Sequence, residues 1–410
     1  MKQFTIPSVY RSQLIQHIKS MRKANDKMKR DLTPTSIDFG PVVIHLARHF
    51  GFCYGVENAI EIAFRTIEQN PGKRIFLLSE MIHNPLVNHD LVARGVSFLQ
   101  DTKGNELFPI DSLTAEDVVI IPAFGTTLEM EAKLRDKGIP IETYNTTCPF
   151  VEKVWNRSEQ IAEKGYTVIV HGKPTHEETR ATFSHAAAHT PTLVINDMSE
   201  AIELSQFIRG DKPWNQFDVS FSGRTSAGFD PEKDLKKIGV VNQTTMLASD
   251  TQAIADFLRA TMIETFNPSE DAISSYVADT RDTLCYATND NQSGVYGMLE
   301  QPADFAIVIG GYNSSNTSHL VELCEQKLPT YHIDHPDRLK ADRIHHYHFV
   351  TNEEALTTDY LPKDKKQTHI LLTSGASCPD ALVEVVIEKL ASYFVEENQY
   401  KSTINQILQR

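Results

Sequence analysis

Three cysteines far apart in the chain share one local setting. Cys53 lies in Gly51-Phe52-Cys53-Tyr54-Gly55, Cys148 in Asn145-Thr146-Thr147-Cys148-Pro149-Phe150, and Cys285 in Asp282-Thr283-Leu284-Cys285-Tyr286-Ala287-Thr288. Each ends an extended apolar or Thr-rich run and precedes an amphipathic helical pattern, the place where a parallel α/β unit presents its chemistry. Three such cysteines point to one metal site at the meeting of three similar units.

The alternation can be followed along the chain. Strands are expected at Pro41–Arg48, Arg74–Ser79, Asp117–Ala123, Pro140–Tyr144, Thr167–Val170, Leu193–Asn196, Lys237–Val241, Phe305–Ile309 and His369–Leu372. Between them the periodicity predicts helices at Gly55–Glu68, Leu128–Lys137, Phe150–Lys164, Asp250–Thr261 and Ala381–Tyr393, with two more after Cys285 and after Asn316. Pro149 suits a first helical position. Strands alternating with helices indicate an α/β protein with three small, mostly parallel sheets. The expected domains are 41–147, 148–280 and 281–395, flanked by an N-terminal extension (1–40), read as a solvated arm or helix, and a tail (396–410). Weak periodicity over 206–236 marks an insertion in the second domain.

With 410 residues and a formal net charge of -14, the chain has room for about two to four domains, and its charge argues against nucleic acid or an anionic membrane as partner. No apolar run approaches the roughly 20 residues that cross a bilayer. The expected location is the cytoplasm, with the plastid stroma as the alternative suggested by the basic, acid-poor first thirty residues. Five cysteines, an odd number without a secretory signal, read as reduced thiols rather than a disulfide framework.

Thiolates ligate iron-sulfur clusters; four saturate a cubane, whereas three leave one iron open to a substrate oxygen. Free cysteines also simply pack, and spacing alone leaves Cys378, in Ser377-Cys378-Pro379, as eligible as the others. Cys324 sits inside a helix beside Leu320 and Leu328 and is taken as core. Asn313-Ser314-Ser315-Asn316 and Gly375-Ala376-Ser377 each follow a strand and open a helix, where backbone N–H groups favour anions; they read equally as ordinary caps. His176-Glu177-Glu178 offers imidazole and carboxylate for proton transfer, or only a surface cap. His83, in a His-Asn-Pro turn, carries the same ambiguity, and Gln243-Thr244-Thr245 also reads as a plain strand end with paired hydroxyls.

Taken together these loops resemble the 4-hydroxy-3-methylbut-2-enyl diphosphate reductase (LytB) family, the last enzyme of the non-mevalonate isoprenoid route. GFCYGV, IHNPLV, TTCP, HGKPTHEET, NQTTM, CYAT, GGYNSSNTSHL and SGAS occur in the family's order between about Pro41 and Tyr393. The resemblance implies three domains in a pseudo-threefold cloverleaf around a central [4Fe-4S] cluster. It implies Cys53, Cys148 and Cys285 as the three cluster ligands and Cys378 as a non-ligand. It also implies His83, His176, Thr244, Ser314, Ser315, Asn316 and Ser377 as substrate-binding residues, and Glu178 as proton donor assisted by His176 and Thr244. Where many short members carry a histidine, this chain has Phe124, leaving Thr126, Thr127 or backbone to replace a diphosphate donor; Phe124, the arm and the insertion resemble the longer plastid and cyanobacterial-type branch.

The implied reaction is reductive dehydration of an allylic alcohol diphosphate to isopentenyl and dimethylallyl diphosphates, with the substrate hydroxyl on the open iron and electrons from ferredoxin or flavodoxin. Two other readings stand beside it. A quinolinate-synthase-like iron-sulfur dehydratase would call for Arg or Lys in anion loops that here carry Ser and Asn. A non-enzymatic iron-sulfur redox sensor would need a partner surface that the acidic composition does not favour.

Overall fold

The computed structural model describes residues 4–278 and 285–409, so Asp282, Thr283 and Leu284 of the third cysteine stretch lie outside the described residues. The strands are β1 (Thr35–Asp38), β2 (Val42–Leu46), β3 (Ile75–Leu77), β4 (Val96–Phe98), β5 (Val118–Ile120), β6 (Thr167–His171), β7 (Thr192–Ile195), β8 (Ile238–Asn242), β9 (Phe305–Ile309), β10 (Thr330–Ile333), β11 (Arg343–His348), β12 (Glu353–Thr358) and β13 (Thr368–Ser374). The helices are α1 (Gln13–Asn25), α2 (Tyr54–Gln69), α3 (Pro85–Ala93), α4 (Leu128–Asp136), α5 (Pro149–Glu163), α6 (Glu177–Ala187), α7 (Met198–Arg209), α8 (Phe217–Ser220), α9 (Pro231–Asp234), α10 (Ala248–Phe266), α11 (Tyr286–Met298), α12 (Ser315–Glu325), α13 (Asp380–Ser392) and α14 (Glu397–Leu408). They form two compact units.

One unit combines the described residues of Met1–Glu57, Ile82–Asp90 and Tyr286–Arg410. Its sheet has seven strands in the order β1-β2-β13-β9-β10-β11-β12. The centre is parallel, β2 and β9 both pairing with β13 and β10 with β9. Val42–Leu46 and Phe305–Ile309 are buried throughout, as strands covered on both faces must be. Antiparallel edges, β1 on one side and the β11–β12 hairpin on the other, make this sheet larger and more mixed than expected. These edge strands carry one buried face at most, and their polar residues hide them from an apolar-run reading.

The N-terminal arm is folded onto this unit rather than solvated. Ser12 caps α1, its hydroxyl accepting the Ile15 N–H at 2.9 Å, and Leu14, Ile15 and Ile18 enter the same core as Val386, Leu390 and Ile404. The expected tail likewise contains α14, whose Tyr400 and Ile404 are buried.

The other unit comprises the described residues of Asn58–Met81 and Leu91–Cys285 and holds two three-stranded sheets, β4-β3-β5 and β7-β6-β8, parallel throughout. The α/β class and the mostly parallel pairing are therefore as expected. Pro140–Tyr144 is not a strand: Ile141–Tyr144 is a 3-10 turn with only Ile141 buried, and a single bridge from Asn145 to Ile121 comes after it. Helix α7 continues to Arg209 and stops at Gly210, whose φ of 80° suits the left-handed cap. The segment beyond Gly210 is folded, with Phe217 and Phe221 packed on Phe207 in the core.

If α1 belongs to the core, Leu14→Ala lowers unfolding free energy in urea by about 2–5 kcal/mol, the cost of emptying a buried leucine site. Val9→Ala, at a side chain 60% exposed, leaves the midpoint nearly unchanged.

Candidate active site

In the seven-stranded sheet three loops leave the C-terminal ends of neighbouring parallel strands. Leu46 of β2 is paired with Leu372, and Ser374 with Ile309, so the loops after β2, β13 and β9 emerge side by side. That is where an open parallel sheet binds ligands.

The loop after β2 carries Cys53. Its N–H donates to the Ala376 carbonyl at 3.1 Å and its carbonyl accepts the Glu57 N–H at 3.0 Å, which fixes it at the head of α2. The loop after β9 carries Ser314, the cap of α12, whose hydroxyl accepts the Thr317 N–H. Asn316 crosses to the third loop, its Oδ1 accepting the Ala376 N–H at 2.8 Å. Ser377 in that loop donates to the His83 carbonyl at 3.1 Å, and an added Cβ on Gly311 would lie 2.4 Å from the same oxygen. His83, Ser314, Ser315, Asn316 and Ser377 are all buried, and these contacts bring them together. Ser315 Oγ is buried with no hydrogen-bond partner among the described residues, so this hydroxyl is available to a ligand.

Thr317 governs how closely these loops approach. A Cβ on Gly375 would fall 2.1 Å from Thr317 Oγ1, and one on Gly310 would fall 2.3 Å from it.

In the unit containing β6 and β8, parallel pairing aligns His171 with Asn242, so the loops after these strands also lie together. His176 caps α6, Nδ1 accepting the Glu178 N–H at 3.1 Å. Glu178 is 1% exposed, and its carboxylate accepts the Thr244 N–H at 2.5 Å and the Thr244 hydroxyl at 3.0 Å. The His176-Glu177-Glu178 loop therefore does cap a helix, but with both glutamates buried rather than at the surface. Gln243, read as a plain strand end, is a bracket: its Oε1 accepts from the Lys173 N–H and the Thr179 hydroxyl. Ser79 donates to the buried Glu177, a contact without any local sequence signal.

Phe124 meets His176 edge-on, with centroids 5.5 Å apart. The aromatic ring at this position thus orients an imidazole by packing. Thr127 caps α4 by accepting the Met130 N–H, whereas Thr126 is buried with its carbonyl facing His185.

Cys148 caps α5 ahead of Pro149 and donates its N–H to the Ala123 carbonyl at 2.9 Å. Cys285 is buried and immediately precedes α11. None of the five cysteines forms a disulfide. Cys53, Cys148 and Cys285 thus each precede the first residue of a different helix, α2, α5 and α11, where a helix dipole favours a thiolate. Cys324 and Cys378 are 0% exposed, and burial pushes both thiols up to about 12, so they stay protonated. Among the described residues no three His, Cys, Asp or Glu side chains are placed to hold a single metal ion. Cysteine sulfur is the usual protein donor to iron-sulfur groups, and each of these three positions offers one.

No helix among the described residues is long and apolar enough to cross a membrane. The LytB protein family model matches residues 44–391. The chain is 40% identical over 395 residues to the 4-hydroxy-3-methylbut-2-enyl diphosphate reductase of Picosynechococcus sp., covering 96% of this chain and 91% of the relative. It is 41% identical over 356 residues to the reductase of the same name from Parasynechococcus marenigrum, covering 86% of each chain. A solved structure of E-1-hydroxy-2-methyl-but-2-enyl-4-diphosphate reductase from Plasmodium falciparum matches the fold with a TM-score of 0.60 at 20% identity, over 84% of this chain and 86% of that one. Matched by its model from residue 44 to 391 and by relatives across most of their length, the chain belongs to the LytB protein family.

Proposed function

We propose that this chain reduces (E)-4-hydroxy-3-methylbut-2-enyl diphosphate to isopentenyl and dimethylallyl diphosphates, the terminal step of the non-mevalonate route. The observation that carries the reading is Glu178, a buried carboxylate held by both the N–H and the hydroxyl of Thr244. Family membership supplies the substrate class and an iron-sulfur cofactor. The reading divides the chain into domains 41–147, 148–280 and 281–395, each supplying one sulfur, from Cys53, Cys148 and Cys285. It places the enzyme in the cytoplasm with a reduced ferredoxin or flavodoxin as electron donor.

Cys53, Cys148 and Cys285 would hold a [4Fe-4S] cluster, which when bound would supply Lewis acidity toward an allylic hydroxyl and a route for two electrons. The remaining work belongs to the side chains. Ser314, Ser315, Asn316, Ser377 and His83 hold the diphosphate with neutral donors at the head of α12. Glu178 protonates the departing oxygen, Thr244 fixes which carboxylate oxygen faces it, and His176 holds the first turn of α6 in place. The C–O bond breaks and water leaves. Two electrons and a second proton then complete either alkene, according to which end of the allyl fragment is protonated.

Anaerobic reconstitution followed by iron analysis and visible absorption tests the ligand set. Cys148→Ser and Cys285→Ser lose most of the bound iron and its absorption, whereas Cys378→Ser keeps both; a full, active cluster in Cys285→Ser refutes the assignment. Glu178→Gln retains cluster and substrate binding while kcat falls by about a hundredfold or more, the usual scale for removing a general acid. Near-native turnover in that variant removes Glu178 from the proton path.

A further inference from the structure

The N-terminal arm reaches the Cys53 loop from two sides. Phe4 sets its ring edge-on to Tyr54 with centroids 4.9 Å apart, and Tyr10 does the same to Phe52 at 6.0 Å. The cysteine lies between the two contacted residues. The arm is pinned where it makes these contacts: Arg11 donates to the Phe4 carbonyl at 2.7 Å, and Lys19 pairs with Asp380 at 2.7 Å. That ion pair sits against Gly51, where an added Cβ would fall 2.6 Å from Asp380 Oδ1.

Tyr10 does more than cover the loop. It is 1% exposed, and its hydroxyl donates to Asp90 Oδ2 at 2.7 Å. Asp90 stands on α3, the helix that opens two residues after His83. The start of α3 is tied to the His83 turn, since Asn88 Nδ2 donates to the Ile82 carbonyl at 2.9 Å and Asn84 Oδ1 accepts the Val87 N–H. One buried side chain therefore touches the Cys53 loop with its ring and the His83 helix with its hydroxyl.

We propose that Tyr10 is a positioning residue that sets the loop carrying a sulfur ligand and the helix that follows a diphosphate donor at the same time. This rests on the proposed roles of Cys53 as a cluster ligand and of His83 as a diphosphate donor. The two functions separate chemically, because phenylalanine at position 10 keeps the ring and loses only the hydroxyl.

The test uses the full-length chain. Iodoacetamide labelling of the apoprotein, read by peptide mass spectrometry, gives the rate at Cys53 with Cys148 as internal reference. Tyr10→Leu raises the Cys53 rate about fivefold relative to Cys148, the change in loop opening expected when one aromatic pair is lost. Phe4→Leu, on the opposite flank, raises it in the same way and decides the question if Tyr10→Leu does not fold. Tyr10→Phe leaves labelling at the parent rate, and the loaded enzyme shows a severalfold rise in KM at near-native kcat. Unchanged Cys53 labelling in the folded leucine variants, or a parental KM in Tyr10→Phe, overturns the proposal. If loading the parent with iron and sulfide does not protect Cys53 from the reagent, the ligand assignment fails instead, and the apoprotein contrast still decides whether the arm holds the loop.

Discussion

The in-register parallel pairing of β2, β13 and β9 is the constraint on which the loop cluster at the end of the seven-stranded sheet depends. Because Leu46, Leu372 and Ile307 lie across from one another in adjacent strands, the three loops that leave these strands start at nearly the same height. A slip of one residue would turn every side chain to the other face. It would also break the contacts of Ala376 with Cys53 and Asn316, which join all three loops through one backbone unit.

Electrostatics set the other half of the problem. The chain carries a net charge of -14, so its overall field repels a diphosphate. The loops that gather His83, Ser314, Ser315, Asn316 and Ser377 contain no Lys or Arg. On the proposed reading attraction is local, from hydroxyls, an amide, an imidazole and the N–H groups at a helix head. Such donors impose little long-range pull and act only on a ligand already in contact with them.

How much of this could be read from residues alone depended on whether the signal was local. The strand-cysteine-helix pattern exposed Cys53, Cys148 and Cys285, but Cys378 has the same pattern and differs by complete burial, which no short window encodes. The link between Glu178 and Thr244 spans 66 residues and depends on the β6–β8 register, so the sequence showed two candidates and not their bond. α1 was disguised by its lysines and arginines, although Ser12 and the Leu14, Ile15 and Ile18 stripe were present. The edge strands escape an apolar-run reading because Arg343–His348 alternates polar residues outward, and Pro140–Tyr144 reads as a strand because a short run between loops looks alike in a strand and in a turn.

Thr317 stands where both Gly310 and Gly375 would place a side chain. Neither glycine has a left-handed backbone, so what keeps them bare is the Thr317 side chain and not conformational freedom. The two positions are consequently epistatic: alanine becomes tolerable at either only after residue 317 has shrunk. Sequence drift through these loops is thereby confined to an ordered route, in which the threonine must yield first.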